Sequence, residues 1–134
     1  MTLPPLVTYD AHTAVWLLGE PFDSRPTSLI GSAIPIPQGF VTDLSSVPRV
    51  FWNLAAPFEL SIAGALTHDW LYRHGGHVAV RRDGGGLGSL WFTRAQADQY
   101  FLDYMKVEGV VWWKRTLAHW CVRVAGGPSW RAAQ

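Results

Sequence analysis

From about residue 60 onward, apolar side chains recur every three or four positions; over residues 1–40 they do not. The first periodic stretch predicts a helix from about Phe58 to Arg73, with Leu60, Ala63, Gly64, Leu66 and Leu71 on its apolar face. Ala63-Gly64-Ala65 lets a second backbone come close there, and Gly75-Gly76 ends the helix. A second helix opens with Thr93 and Gln96 at capping-box spacing. It continues through the stripe Ala97, Tyr100, Phe101, Tyr104 and Met105, with Gly109 just past its end. A third spans about Val111–Ala125. Its stripe of Trp113, Leu117, Trp120, Cys121 and Val124 is expected to face the core, with Lys114, Arg115, His119 and Arg123 on the solvated side. Gly126-Gly127-Pro128 is expected to stop this helix, and Trp130 to fold back onto the body.

The first forty residues read as extended. Thr13–Leu18 predicts a strand, and Thr27–Ile36 predicts another with a bend at Gly31. Pro35 and Pro37 cannot donate to a ladder, so this piece lies at an edge or leaves the sheet there. Turns are expected at Asp10-Ala11-His12 and Asp23-Ser24-Arg25-Pro26. Gln38–Arg49 alternates and then ends in short polar side chains. It reads either as a strand running into a short helix with Phe51 and Trp52, N-capped by Ser45 or Ser46, or as a polar loop aiming Asp43, Ser45 and Ser46 at the first long helix. Residues 74–91 hold six glycines and form a mobile loop or hairpin whose spacing is not that of a phosphate-binding loop; His74 and His77 are ordinary exposed residues at its start. The pattern predicts one α+β domain over residues 1–134, with 1–40 mainly extended and 57–125 mainly helical. A small N-terminal antiparallel sheet packs on three principal helices.

Composition narrows the partners. A 49% hydrophobic, 16% charged chain is a folded globule, and a net charge of +1 gives no electrostatic case for nucleic acid or an anionic membrane surface. Eight tryptophans in 134 residues imply that some face a partner, either another protein or a second copy. The single Cys121 excludes an intramolecular disulfide framework and a multi-cysteine zinc site. Met1-Thr2-Leu3-Pro4-Pro5 has neither a basic nor an apolar signal region, and no apolar run reaches the roughly 20 residues of a membrane span, so neither is expected.

The candidate chemistry sits on the first helix. His68 and Tyr72 are one turn apart on one face, with Asp69 about a hundred degrees around. If the second helix presents Asp98 to His68, the carboxylate fixes the imidazole tautomer and leaves the other nitrogen to take a proton from water. Asp69 is then placed to hold a hard cation. The alternative is a buried polar network, in which these groups satisfy one another and specify helix register only. Both readings remain open on spacing. A zinc hydrolase fares worse because His68 has no histidine at i+4, and a serine hydrolase because Leu44-Ser45-Ser46-Val47 lacks flanking glycines.

Two resemblances bear on these residues. Ile36-Pro37-Gln38-Gly39-Phe40-Val41-Thr42-Asp43-Leu44-Ser45-Ser46-Val47-Pro48, His68-Asp69-Trp70-Leu71-Tyr72 and Arg94-Ala95-Gln96-Ala97-Asp98 resemble the signature of a bacterial and phage domain-of-unknown-function family (number 1353), over about residues 28–125. That resemblance implies a phage or prophage setting: a virion or assembly protein, in the particle or the host cytoplasm, contacting other phage structural proteins. Locally, His68-Asp69 and Tyr72 on one helix with Asp98 on the next resemble the secreted phospholipase A-two arrangement. It implies His68 as general base, Asp69 as a calcium ligand, Tyr72 and Asp98 as supports, and a lipid or other ester as substrate. The chain departs from that pattern in lacking paired cysteines and the glycine-rich calcium loop; Pro57-Phe58-Glu59-Leu60 stands in its place, unless Asp43–Ser46 substitutes.

Overall fold

The computed structural model describes residues 5–10, 12, 15–42 and 61–134. Within them the chain is α+β, with two antiparallel sheets and four helices. Strands β1 (Val7–Asp10), β2 (Val15–Leu18) and β5 (Val41–Thr42) form one sheet in the order β1-β2-β5. The other sheet runs β3 (Phe22–Ser24), β4 (Ser32–Ile36), β6 (His77–Arg82), β7 (Leu87–Trp91). Helices α1 (Ile62–Arg73), α2 (Arg94–Val107), α3 (Trp112–Ala125) and a short α4 (Gly127–Ala132) complete the fold.

The glycine-rich stretch resolves as a hairpin. β6 pairs with β7 from His77↔Trp91 to Arg81↔Leu87, and the turn uses Gly85 and Gly86 at positive φ. The sheet is therefore not confined to the N-terminal forty residues, because β6 docks on Ser32 and Ala33 of β4. That pairing stops before Pro35, whose missing N–H costs no ladder bond on the β6 side. The α2 capping box forms as expected, Gln96 N donating to Thr93 Oγ1 and Thr93 N to Gln96 Oε1, and Gly109 adopts positive φ past the helix end.

As expected, the third helix stops at Gly126-Gly127-Pro128, ending at Ala125 with Gly126 as its C-cap; Gly127 and Pro128 then open the short α4, where proline in the first turn loses no helical bond. One helical expectation needs correction. On α3 the inward face is the small one, Ala118, Cys121 and Val122. Trp113, Trp120 and Val124 stand 43%, 60% and 63% exposed. The crowded space beside α1 and α2 admits small side chains and turns the tryptophan stripe outward. His119 is half-buried, and burial lowers its imidazole pKa. The expected positions of Thr13, Ala14, Asp43, Ser45, Ser46, Phe51, Trp52 and Phe58–Leu60 lie outside the described residues.

α1 is the common wall of the core. Ala65 packs with Phe101, Met105 and Val122; Leu71 and Tyr72 pack with Ile34, Val80 and Tyr100; Ala63 and Leu66 pack with Leu18, Ile36 and Phe40. Each fully buried Leu on this helix contributes about 1.5–3 kcal/mol of transfer free energy. Gly64 is what lets α2 approach: a Cβ there would sit 2.9 Å from Phe101 Cδ1 and 3.0 Å from Tyr104 Cβ. A one-way hydrogen-bond chain ties the sheet to both helices. Arg25 N–H donates to Tyr104 Oη (2.7 Å), Tyr104 to Ser24 Oγ (3.1 Å), Ser24 to Thr67 Oγ1 (2.5 Å) and Thr67 to the Ala63 carbonyl (2.8 Å).

Gly76, at φ 85 between α1 and β6, has its Cβ position blocked by the Phe92 carbonyl. Gly76→Ala should therefore lower stability by about 1–3 kcal/mol in urea unfolding. Gly84→Ala, in open space, should stay within about 0.5 kcal/mol of the parent.

Candidate functional site

Three helices converge on one carboxylate. His68 and Tyr72 lie one turn apart on α1, so both rings project toward α2, where Asp98 sits on the second turn behind the Thr93 cap. His68 Nε2 is 2.6 Å from Asp98 Oδ1, and Tyr72 Oη donates to the same oxygen at 2.6 Å. Arg123 Nη1, from α3, donates to Asp98 Oδ2 at 2.8 Å. Arg94 closes the group: its Nε donates to Tyr72 Oη at 3.1 Å, and its Nη2 donates to the Val122 carbonyl at 3.0 Å and to that of Arg123. His68 stacks on Tyr72 with ring centroids 4.1 Å apart and tilts against Phe101 at 5.5 Å. Both the His68 and Asp98 side chains are 0% exposed.

The electrostatics follow from that donor set. Burial pushes the Asp98 carboxyl pKa up, but the hydrogen bonds from His68, Tyr72 and Arg123 outweigh it and hold the group below its ordinary range. Tyr72 is held well above an ordinary phenol, first by burial and then by donating to Asp98. An ionised Asp98 only accepts, so the proton of a neutral His68 sits on Nε2 and the lone pair on Nδ1. Nδ1 is buried with no hydrogen-bond partner among the described residues.

The structure thus brings together three of the residues singled out in the sequence: His68, Tyr72 and Asp98. Asp69 points elsewhere, its Oδ2 3.4 Å from Arg73 Nε. Among the described residues no group of three His, Cys, Asp or Glu side chains could hold a metal. Asp43, Ser45 and Ser46 lie outside the described residues. Two supports escaped the sequence reading. Arg123 was assigned to the solvated face; its side chain is 39% exposed, yet its tip reaches Asp98. Arg94, which the sequence offers only as an alternative partner for Asp69, instead reaches Tyr72 and the α3 carbonyls, a contact that crosses three helices. Such contacts leave no periodic trace.

The chain belongs to the family described as protein of unknown function (DUF1353), whose model matches residues 16–122. The match begins at β2, earlier than the motifs alone suggested, and ends within α3 at Val122. No curated protein and no solved structure matches the chain, so neither comparison returns a phospholipase.

The depressed Asp98 pKa fixes a sign for acid stability. A carboxyl whose folded pKa lies below its unfolded value stabilises the fold above about pH 4, and this is lost as pH falls through the folded value. Below about pH 4 the thermal midpoint of the parent should therefore drop more steeply than that of Asp98→Asn. At neutral pH that variant should be less stable by about 2–4 kcal/mol, because Arg123, Tyr72 and His68 lose their shared anion.

Proposed function

We propose that the His68–Asp98–Tyr72 group is a general-base site for hydrolysis of an ester, with water as the nucleophile. The observation that carries this reading is that His68 Nδ1 has no hydrogen-bond partner among the described residues while Nε2 lies 2.6 Å from Asp98 Oδ1. In the proposed reaction Nδ1 takes a proton from water as its oxygen bonds to the ester carbonyl carbon. The resulting imidazolium is stabilised by Asp98, and its proton passes to the leaving alcohol as the C–O bond breaks. Tyr72 and Arg94 position Asp98 rather than touch substrate. No step is routed through a metal. The ester, a lipid among the choices, and the phage or prophage setting come from resemblances in the sequence alone.

A second reading is favoured by one observation: His68 has no exposed surface. On that reading the network fixes the register of three helices in a virion or assembly component and catalyses nothing. The two readings differ in what His68 contributes. In the catalytic one, purified protein hydrolyses 4-nitrophenyl butyrate or phosphatidylcholine, and His68→Gln lowers the rate by about 10²–10⁴-fold with its far-UV circular dichroism unchanged. Equal rates in parent and variant would remove His68 as the base. Diethylpyrocarbonate labelling read by mass spectrometry gives an independent measure, because only a His68 that opens to solvent is modified.

A further inference from the structure

We propose that β7 is a pairing edge, on which a second copy of the chain adds its own β7 antiparallel about a two-fold axis through Ser89. β7 ends the order β3-β4-β6-β7, and no strand among the described residues covers its outer side. Two other edges are guarded. β3, at the far end of the same sheet, has three residues, includes Asp23 and follows Pro21, and β1 ends in Asp10. β7 has five residues, Leu87-Gly88-Ser89-Leu90-Trp91, with no charge, no proline and an unbroken register against β6. Leu87 stands 71% and Trp91 53% exposed along it. A bare, regular, apolar edge of this kind is a template for another strand.

The backbone sets which groups face outward. Arg82 N–H donates to the Gly86 carbonyl at 3.1 Å, and Phe92 N–H to the Gly76 carbonyl at 2.8 Å. Bonded and non-bonded pairs alternate along an antiparallel ladder. Gly88 and Leu90 therefore also bond to β6, while the N–H and C=O of Leu87, Ser89 and Trp91 point to the free edge. Turned over about Ser89, a second β7 sets its Trp91 opposite Leu87, its Ser89 opposite Ser89 and its Leu87 opposite Trp91. Every outward donor then meets an outward acceptor. The side chains of these alternate residues share the outer face, so each exposed Trp91 packs across the junction on an exposed Leu87. Charge favours the second copy over a charged peptide. The strand opposes no like charges to itself, and the nearby Arg81 and Arg25 are engaged with Asp23 and Asp83 at 2.6 and 2.7 Å. The inference is independent of the chemistry proposed for His68.

Sedimentation equilibrium of the whole chain over a concentration series tests it. The parent should pass from monomer to dimer and go no further, because the two-fold pairing occupies both copies of the edge. Ser89→Pro removes an outward N–H that bonds nothing in β6, so it should stay folded by circular dichroism and remain monomeric. Ser89→Lys and Ser89→Glu should each weaken the dimer about fivefold, and mixing the two should restore it, because residue 89 faces itself across the axis. In a Cys121→Ala background, Ser89→Cys should oxidise to a covalent dimer, its two Cα atoms lying about 5.5 Å apart. Ala79→Cys, one strand inward on the same face, should not, since the two copies of that residue lie about 14 Å apart. A parent that is monomeric throughout overturns the proposal. So does a dimer that survives Ser89→Pro, cross-linking of Ala79→Cys as readily as Ser89→Cys, or a dimer lost in Trp120→Ser, which would place the interface on α3.

Discussion

A carboxylate without solvent contact is the constraint around which the helical half of this protein is arranged. Asp98 has no exposed surface and keeps its charge only because an imidazole, a phenol and a guanidinium reach it from α1 and α3. Those donors have fixed directions, so the three helices can satisfy Asp98 in only a narrow range of rotations and offsets. The apolar clusters on either side of α1 then fill in around a geometry that the polar centre has already restricted. This also explains why Gly64 lies where it does. Asp98 meets His68 only if α2 comes close to α1, and any side chain at Gly64 would strike Phe101 and Tyr104.

The same arrangement gives His68 properties that a lone histidine lacks. Its Nε2 proton is pinned, its ring is clamped between Tyr72 and Phe101, and its second nitrogen is unpaired among the described residues. A ring held this firmly suits either proton transfer, where orientation matters, or a locked helix junction. The geometry is common to both uses, and access to Nδ1 distinguishes them.

Much of this was legible in the sequence, and the misses share a cause. Local signals held: the Thr93–Gln96 box, the positive-φ glycine at Gly109 and the turn glycines of the hairpin are each settled within a few residues. Spacing put His68 and Tyr72 on one face of α1, but it left their meeting with Asp98 conditional, because the β6–β7 hairpin separates the two helices in sequence. What failed was the question of which way α3 faces. Helical periodicity marks an apolar stripe but not what covers it, and α3 has two such faces, one of small residues and one of tryptophans. With α3 turned the wrong way, Arg123 was assigned to solvent. The docking of β6 on β4 was equally hidden, since it joins segments some fifty residues apart by backbone bonds that any side chain permits.

The inward face of α3 is small, and what registers this helix is mainly directional polar contact: Arg94 on its last carbonyls and Arg123 on Asp98. Hydrophobic packing loosens gradually, whereas the Arg123 bond weakens outright when Asp98 is neutralised. The helix that bears most of the exposed tryptophan thus also has a smaller apolar hold on the body than α1 or α2. Native-state hydrogen exchange would show α3 opening at lower free energy than α1, whose residues contribute to every apolar cluster. The third helix is then held to the other two by its small apolar face and a clasp of charge-assisted hydrogen bonds. The clasp and the candidate base share one carboxylate.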